Sequence, residues 1–215
     1  IGKIPNNWDI KRLKYFSSVF LSSIDRHEHD TEKKVIICHY PDAYNNEFIN
    51  NDSILSKGTC TKSEFDKFSL KKNDIILTKD SESSNDIGIP TFVIDNLKNT
   101  VCGYHLAVIR DLDNKILPEF LFRYIESQTV KNYFYLSSNG ITRFGLGKSS
   151  IENLYVLIPS ITEQKTIVEK INLISKTTSQ IIKLYNKRIK LLSNYKETLI
   201  ASIVSGKIKV TKEML

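Results

Sequence analysis

The sequence has few cysteines, and their arrangement argues against a covalent or metal-based framework. The 215-residue chain contains three, Cys38, Cys60 and Cys102, an odd number at wide spacing. No CxxC motif or Cys/His cluster has the spacing of zinc ligands. We therefore expect three free thiols in a reducing cytoplasm, and neither a metal nor a cofactor.

The sequence also lacks the features of an exported or membrane-bound protein. Its apolar runs are all shorter than the roughly 20 residues that a membrane-spanning helix needs. The first residues, Ile1 to Pro5, resemble neither a signal peptide nor a transit peptide. Because the first residue is not Met, we expect the chain to be trimmed or excised from a longer one.

Motifs for catalysis are missing as well. The sequence contains no P-loop, no Gly-rich methyl-donor loop and no Asn-Pro-Pro-Tyr type motif for adenine methylation. Residues 27–30, His-Glu-His-Asp, could hold a metal in principle, but their i, i+2 spacing suits neither a helix-face site nor a zinc finger. A solvated polar loop is the favoured interpretation. We expect no catalytic residues in this chain.

The net charge of +7 lies in the C-terminal quarter of the chain. Residues 161–215 contain 11 Lys and Arg against 4 Asp and Glu, whereas residues 1–160 contain 20 of each kind. A basic segment is only a weak indication of nucleic-acid binding. The cations around Lys187 and Arg188 could face a DNA backbone, solvent or an acidic partner.

Residues 1–158 have the pattern of a globular mixed α/β domain. Short β-branched runs between turn residues predict strands, and a run that begins at Leu117 with Pro in its first turn predicts a helix. The predicted strands are Val35–Cys38, Asp74–Thr78, Thr91–Ile94, Leu106–Ile109 and Tyr155–Ile158.

The next segment, residues 159–206, predicts one long helix, followed by a short tail at 207–215. Ser160 and Glu163 match a capping box, Gly206 is placed to end the helix, and no Gly or Pro lies between Ser160 and Ser205. Such a helix is about 65 Å long, so we expect it to project and pack on a partner rather than lie back on its own domain. The apolar residues recur in a 4-3 rhythm typical of a coiled coil, at Ile167, Ile171, Ile174, Ile181, Tyr185, Leu192 and Leu199. The fold class expected is α+β with a long C-terminal coiled-coil helix.

Several segments, in chain order, resemble the specificity subunit of Type I restriction–modification systems. They are residues 4–13 (IPNNWDIKRL), 72–78 (KNDIILT), 118–121 (PEFL), 158–167 (IPSITEQKTI) and 199–208 (LIASIVSGKI). The fourth segment departs from the family pattern because Ser160 replaces the usual second Pro. The matches extend over nearly the whole chain and are more specific together than singly.

The resemblance implies a division of labour between the two parts. The domain would read one half of a bipartite double-stranded DNA target, and the helix would space two such domains and dock the methyltransferase subunit, with the restriction subunit joining through the complex. Family members usually carry two domain-plus-helix units, and this chain has one. It would therefore pair with a second copy or with a second recognition unit.

Three segments could contact DNA, because readout needs donors and acceptors on loops that a rigid scaffold holds. The first, residues 79–86, could instead be a solvated acidic loop, and in the second, residues 102–105, the histidine could be half-buried core. The third, residues 137–148, contains Arg143, the strongest single candidate for a guanine or phosphate contact. A weaker fourth segment is 39–45. The predicted DNA-binding residues are Lys79, Ser81, Glu82, Ser83, Ser84, Asn85, Tyr104, His105, Asn139, Thr142, Arg143 and Lys148.

Two other functions compete with a DNA-binding specificity subunit. The chain could be the recognition portion of a single-chain restriction–modification nuclease or methyltransferase, an interpretation that the missing methyl-donor motif disfavours. It could also be a coiled-coil assembly protein without DNA readout. Binding to random-sequence DNA in the presence of a methyltransferase partner separates this last function from the first.

Overall fold

The computed structural model describes residues 4–112, 115–209 and 211, and the chain divides into two compact units, Ile1–Val168 (unit 1) and Glu169–Leu215 (unit 2). The strands of the described part are β1 (Asp9–Arg12), β2 (Ser17–Leu21), β3 (Lys33–Cys38), β4 (Phe48–Ile49), β5 (Ser56–Cys60), β6 (Ile75–Thr78), β7 (Asp80–Ser81), β8 (Pro90–Val93), β9 (Thr100–Cys102), β10 (Leu106–Asp111), β11 (Phe144–Gly145) and β12 (Tyr155–Ile158). Its helices are α1 (Tyr40–Asn45), α2 (Lys62–Phe68), α3 (Pro118–Ile125), α4 (Gln128–Ser137), α5 (Lys148–Glu152) and α6 (Ile161–Val204), with 3₁₀ turns at Leu13–Tyr15 and Ser84–Asp86.

A five-stranded sheet in the order β2-β10-β6-β8-β4 forms the centre of unit 1. Its inner strands are buried on both faces, because successive side chains point to opposite sides of a strand. Ile75 and Leu77 face the cluster that holds the aromatic residues of α3 and α4, whereas Ile76 faces a second cluster with Val93 and Leu106. This double burial explains why these strands are continuous apolar runs in the sequence.

Two smaller sheets flank this centre. Strand β3 pairs antiparallel with β5 and parallel with β9, and Cys38 and Cys102 are partners in the parallel register. All three cysteines are buried free thiols, and burial raises the pKa of the Cys102 thiol. Strand β1 pairs antiparallel with β12, which joins the beginning of the domain to its end.

The start of α6 is anchored within unit 1. Ser160 and Glu163 form the predicted capping box, in which the Ser160 hydroxyl donates to the carboxylate at 2.8 Å. Gln164 is fully buried, accepts from the Leu117 amide at 2.7 Å and donates to the Pro159 carbonyl at 2.9 Å. These bonds satisfy polar groups that would otherwise be buried without partners.

Ile167 corrects one detail of the predicted seam. Its side chain packs against the core of unit 1, next to buried Val168, so it contributes to the domain rather than to an exposed helix face. The first turns of α6 cover that core. In a sequence, an apolar residue at this spacing is equally compatible with packing on the domain core and with a coiled-coil seam.

Unit 2 consists mainly of the remaining length of α6. The predicted apolar positions Ile174, Ile181, Tyr185 and Leu192 are all about half exposed or more, and Ile171 and Leu199 are partly buried. The helix ends before Gly206, whose φ of +73° lies in the left-handed region as a C-terminal cap requires. The mixed α/β fold with a long C-terminal helix is therefore confirmed.

Candidate nucleic-acid interface

Side chains from five separate segments of unit 1 meet in one open cleft of about 650 Å³. We name it the polar cleft. It is lined by Asp25, Arg26, His27, His39, Tyr40, Pro41, Tyr44, Asp80, Ser81, Glu82, Asp86, Tyr104, His105 and Arg143. All three segments predicted to contact DNA, and the weaker fourth one, contribute to it.

Asp80 is the centre of the hydrogen bonding in the polar cleft. Its Oδ2 atom lies 2.7 Å from Lys79 Nζ and 2.7 Å from His105 Nδ1. Burial by itself raises the pKa of Asp80, but the hydrogen bonds and charge of Lys79 and His105 outweigh it, so the pKa is lowered. The Lys79 ammonium also lies 4.9 Å from the centre of the Tyr104 ring. The Lys79 ammonium therefore forms an ion pair with Asp80 and packs against the Tyr104 ring. Its charge is balanced within the protein.

Residues 102–105 reach the cleft through a close approach of backbones. The Gly103 amide donates to the Cys38 carbonyl at 2.9 Å, and a Cβ atom at Gly103 would lie 2.9 Å from that oxygen. The Tyr104 amide donates to the Ile24 carbonyl at 2.7 Å. His105 then adopts a φ of +68°, in the left-handed region. This local conformation turns its ring toward Asp80 immediately before β10 begins.

A short ribbon made of β7 and β11 forms another part of the cleft. Phe144 pairs with Ser81 and Gly145 with Asp80, in antiparallel register. Phe144 packs against the core and Ser81 is buried, so strand alternation directs Asp80 to the opposite, outer face. The turn before β11 requires Gly140, because its φ is +144° and a Cβ there would overlap the Arg143 carbonyl.

Helix α1 supplies the aromatic side of the cleft. The rings of Tyr40 and Tyr44 are stacked with centroids 5.6 Å apart, and the Tyr44 hydroxyl donates to Asp86 at 2.7 Å. That hydrogen bond raises the pKa of Tyr44. Burial, followed by the charge of Arg26, lowers the pKa of His39.

The lining has more carboxylates than cations. Its four carboxylates are those of Asp25, Asp80, Glu82 and Asp86, and its two guanidinium groups belong to Arg26 and Arg143. Three of the carboxylates have hydrogen-bond partners in His27, Lys79 or Tyr44. Such a surface disfavours a phosphate inside the cleft and suits groups that donate hydrogen bonds to carboxylates.

Only some of the predicted DNA-binding residues lie in the cleft. Ser81, Glu82, Tyr104, His105 and Arg143 line it, and Lys79 contacts Asp80 of the lining. The others lie outside, at Ser83, Ser84, Asn85, Asn139, Thr142 and Lys148.

The predicted loops contain regular structure that accounts for this division. Residues 79–86 include β7 and a 3₁₀ turn that Ser83 caps through its hydroxyl. The third segment contains β11, and Lys148 begins α5, where its ammonium lies 3.5 Å from Glu152. The hydrogen bonds of Asn139 to Gly145 are made by its backbone. Ser83 and Asn139 therefore shape these turns.

Asp25, Arg26 and His27 also line the polar cleft, although the sequence did not predict it. This segment reaches the cleft because the neighbouring Ile24 is buried and its carbonyl accepts from the Tyr104 amide. The His27 amide donates to Asp25 at 2.9 Å, which folds the segment into a local turn. A single arginine in a polar stretch carries no local signal for this placement.

Two kinds of feature are absent from the described residues, 4–112, 115–209 and 211. No group of three or more His, Cys, Asp or Glu side chains there could hold a metal ion. No helix among them is long and apolar enough to span a bilayer.

Solved structures of Type I restriction–modification components share this fold. The S subunit from M. genitalium aligns with a TM-score of 0.54 and 19% identity, over 93% of this chain and 48% of that one. A structure described as showing complex assembly and conformational transition of the type I R-M system aligns with a TM-score of 0.64 and 12% identity, over 94% of this chain and 46% of that one. At these identities the likeness establishes the fold alone.

Sequence comparison defines the family. The model for the Type I restriction modification DNA specificity domain matches residues 5–191, so the chain belongs to this family. It is 21% identical over 198 residues to a protein of Methanocaldococcus jannaschii named as the type I restriction enzyme MjaX specificity subunit, covering 92% of this chain and 45% of that protein. It is 24% identical over 145 residues to the Escherichia coli EcoBI specificity subunit, covering 67% of this chain and 30% of that protein. The chain thus spans less than half the length of each relative.

Proposed function

We propose that this chain reads one half of a bipartite double-stranded DNA target and directs methyltransferase and restriction subunits to it. The observation that carries the proposal is the convergence of Asp80–Glu82, Tyr104–His105 and Arg143 in the polar cleft. These groups come from distant positions in the chain and combine acceptors with a cation, as readout of base edges requires.

The proposed division of labour assigns recognition to unit 1 and assembly to the helix of unit 2. The helix presents Ile174, Ile181 and Leu192 at its surface, with exposed fractions of 57, 47 and 58%. Apolar side chains in such a series are typical of a helix that packs on another helix. A second copy of this chain, or a second recognition unit, would supply the partner helix and the other half-site reader.

The test is enrichment from a pool of randomised duplex DNA. The purified chain, together with the methyltransferase subunit of its own system, is incubated with the pool at physiological salt, and the bound duplexes are sequenced over several rounds. We expect a short fixed motif to emerge. Binding without any enriched motif would contradict a role in sequence-specific recognition, because phosphate contacts alone carry no sequence information.

A further inference from the structure

We propose that Glu82 and Arg143 form a matched pair that reads both bases of one C·G base pair. This inference rests on the proposed function and adds the kind of base pair that one part of the polar cleft takes. Its basis is the position of the two residues in the polar cleft, next to the last pair of the ribbon of β7 and β11.

Glu82 and Arg143 flank the last pair of the ribbon. Ser81 pairs with Phe144, Glu82 is the residue after Ser81, and Arg143 is the residue before Phe144. Ser81 is buried and Phe144 packs on the core, whereas the side chains of Glu82 and Arg143 are exposed and both line the polar cleft.

Neither charge has a partner among the residues that the structure describes. In the described part of the chain, the Glu82 carboxylate has no hydrogen-bond or ion-pair partner, in contrast to Asp25, Asp80 and Asp86. The Arg143 guanidinium likewise has none among those residues, and both side chains are exposed. The polar cleft therefore contains one acceptor and one forked donor that are free for a ligand.

The chemistry of the pair matches a C·G edge in the major groove. Guanine offers its O6 and N7 atoms to a bidentate arginine, and the cytosine paired with it offers its N4 amino group to a carboxylate. Adenine and thymine offer no pair of adjacent acceptors on one base, so an A·T pair cannot bind the guanidinium fork in this way. A phosphate contact by Arg143 is disfavoured by the neighbouring Glu82 charge. A two-stranded ribbon is also an element that the major groove admits.

The experiment uses base analogues in the motif recovered by the enrichment described above. At each C·G pair in turn, guanine is replaced by 7-deazaguanine, which lacks the N7 acceptor, or cytosine by N4-methylcytosine, which blocks the amino donor. Affinities are measured for wild type, Glu82→Ala and Arg143→Ala. Lys57→Ala and Asp66→Ala, exposed residues outside the polar cleft, serve as matched controls.

We expect both analogues to weaken wild-type binding by roughly 5- to 150-fold at one and the same pair. At that pair, 7-deazaguanine should not change the affinity of Arg143→Ala, and N4-methylcytosine should not change the affinity of Glu82→Ala. The two control variants should respond to both analogues as wild type does. Coupling of the two residues to different base pairs would overturn the inference. Equal losses by Arg143→Ala on the motif and on random DNA would overturn it too, by making Arg143 a phosphate contact, and would leave the proposed function standing. Failure to recover any motif would instead count against the proposed function.

Discussion

The Oδ2 atom of Asp80 lies 2.7 Å from Nδ1 of His105, although 25 positions separate the two residues in the sequence. Because a carboxylate only accepts hydrogen bonds, Nδ1 of His105 carries the proton in this contact. The bond connects the segment that follows β6 to the start of β10. One carboxylate thus joins two of the segments that line the polar cleft.

The lowered pKa of Asp80 predicts a pH-dependent contribution to stability. A carboxyl whose pKa falls on folding stabilises the native state above its unfolded value of about 3.9, and this contribution is lost as the pH falls through the lower folded pKa. We expect Asp80→Asn to lower the free energy of unfolding by about 1 kcal/mol at pH 7. The difference from wild type should shrink below about pH 4. Urea unfolding over a pH series measures it, with Asp66→Asn as an exposed control. A difference that stays constant with pH would contradict the prediction.

We expect the backbone conformation at Gly140 to affect the affinity for DNA. A Cβ at this position would overlap the Arg143 carbonyl, so Gly140→Ala must rearrange the turn and displace Arg143. We expect a loss of specific affinity on the scale of one bidentate contact, about 1–3 kcal/mol. Gly147→Ala is the matched control, because its Cβ would come no nearer than 3.9 Å to another residue. Titration of the enriched duplex measures both, and an unchanged affinity in Gly140→Ala would exclude Arg143 from the interface.

We expect the single polar side chain of Gln164 to make a large contribution to the stability of the fold. Its removal leaves the Leu117 amide and the Pro159 carbonyl without their partners. Each buried group left unsatisfied costs about 1–3 kcal/mol. We therefore expect Gln164→Ala to lower the free energy of unfolding by about 1–3 kcal/mol or more. Denaturant unfolding measures this free energy. The control is Lys165→Ala at the exposed neighbouring position, which should change the free energy of unfolding little. Equal stabilities of the two variants would mean that these hydrogen bonds contribute nothing net.

The apolar positions of α6 predict self-association. Each large apolar side chain moved from water into an interface contributes roughly 1.5–3 kcal/mol. We expect two copies to associate through antiparallel helices, because that arrangement separates two recognition domains along DNA, as two half-sites require. Light scattering should give a dimer mass that Ile174→Asp combined with Ile181→Asp reduces to a monomer.

The matched control for this experiment is Ser179→Asp combined with Asn186→Asp, which adds the same charges away from the 4-3 positions. It should remain dimeric. A wild-type chain that stays monomeric at high concentration would rule out the homodimer and point to a different partner for the helix.

The missing nucleotide and methyl-donor motifs predict that the chain has no catalytic activity of its own. We expect no DNA methylation with a methyl donor, no ATP hydrolysis and no DNA cleavage by the purified chain. Radiolabelled methyl transfer, phosphate release and plasmid cleavage measure these, with the complete enzyme complex as the positive control. Any of the three activities in a clean preparation would contradict a purely recognising role.

Elements with a strong local pattern could be predicted from the sequence. β6 and β10 are continuous apolar runs, and α6 combines a capping box with a terminal Gly206, so their positions were found to within a few residues. The two-residue strands β7 and β11 were not found. They exist only because residues about 60 positions apart pair with each other, and a pair of residues carries no periodic signal.

The residue types that could contact DNA, and the segments that hold them, were determined by the sequence itself. Tertiary structure decided which of them share a surface. The sheet order brings the ends of β6 and β10 together, and the Ile24 and Cys38 carbonyls draw residues 25–27 and α1 to the same place. It also placed His105 against Asp80, 25 positions away in the sequence. The reason is physical: a side chain's chemistry is local, whereas its neighbours depend on pairing between distant strands, which no short stretch of sequence encodes.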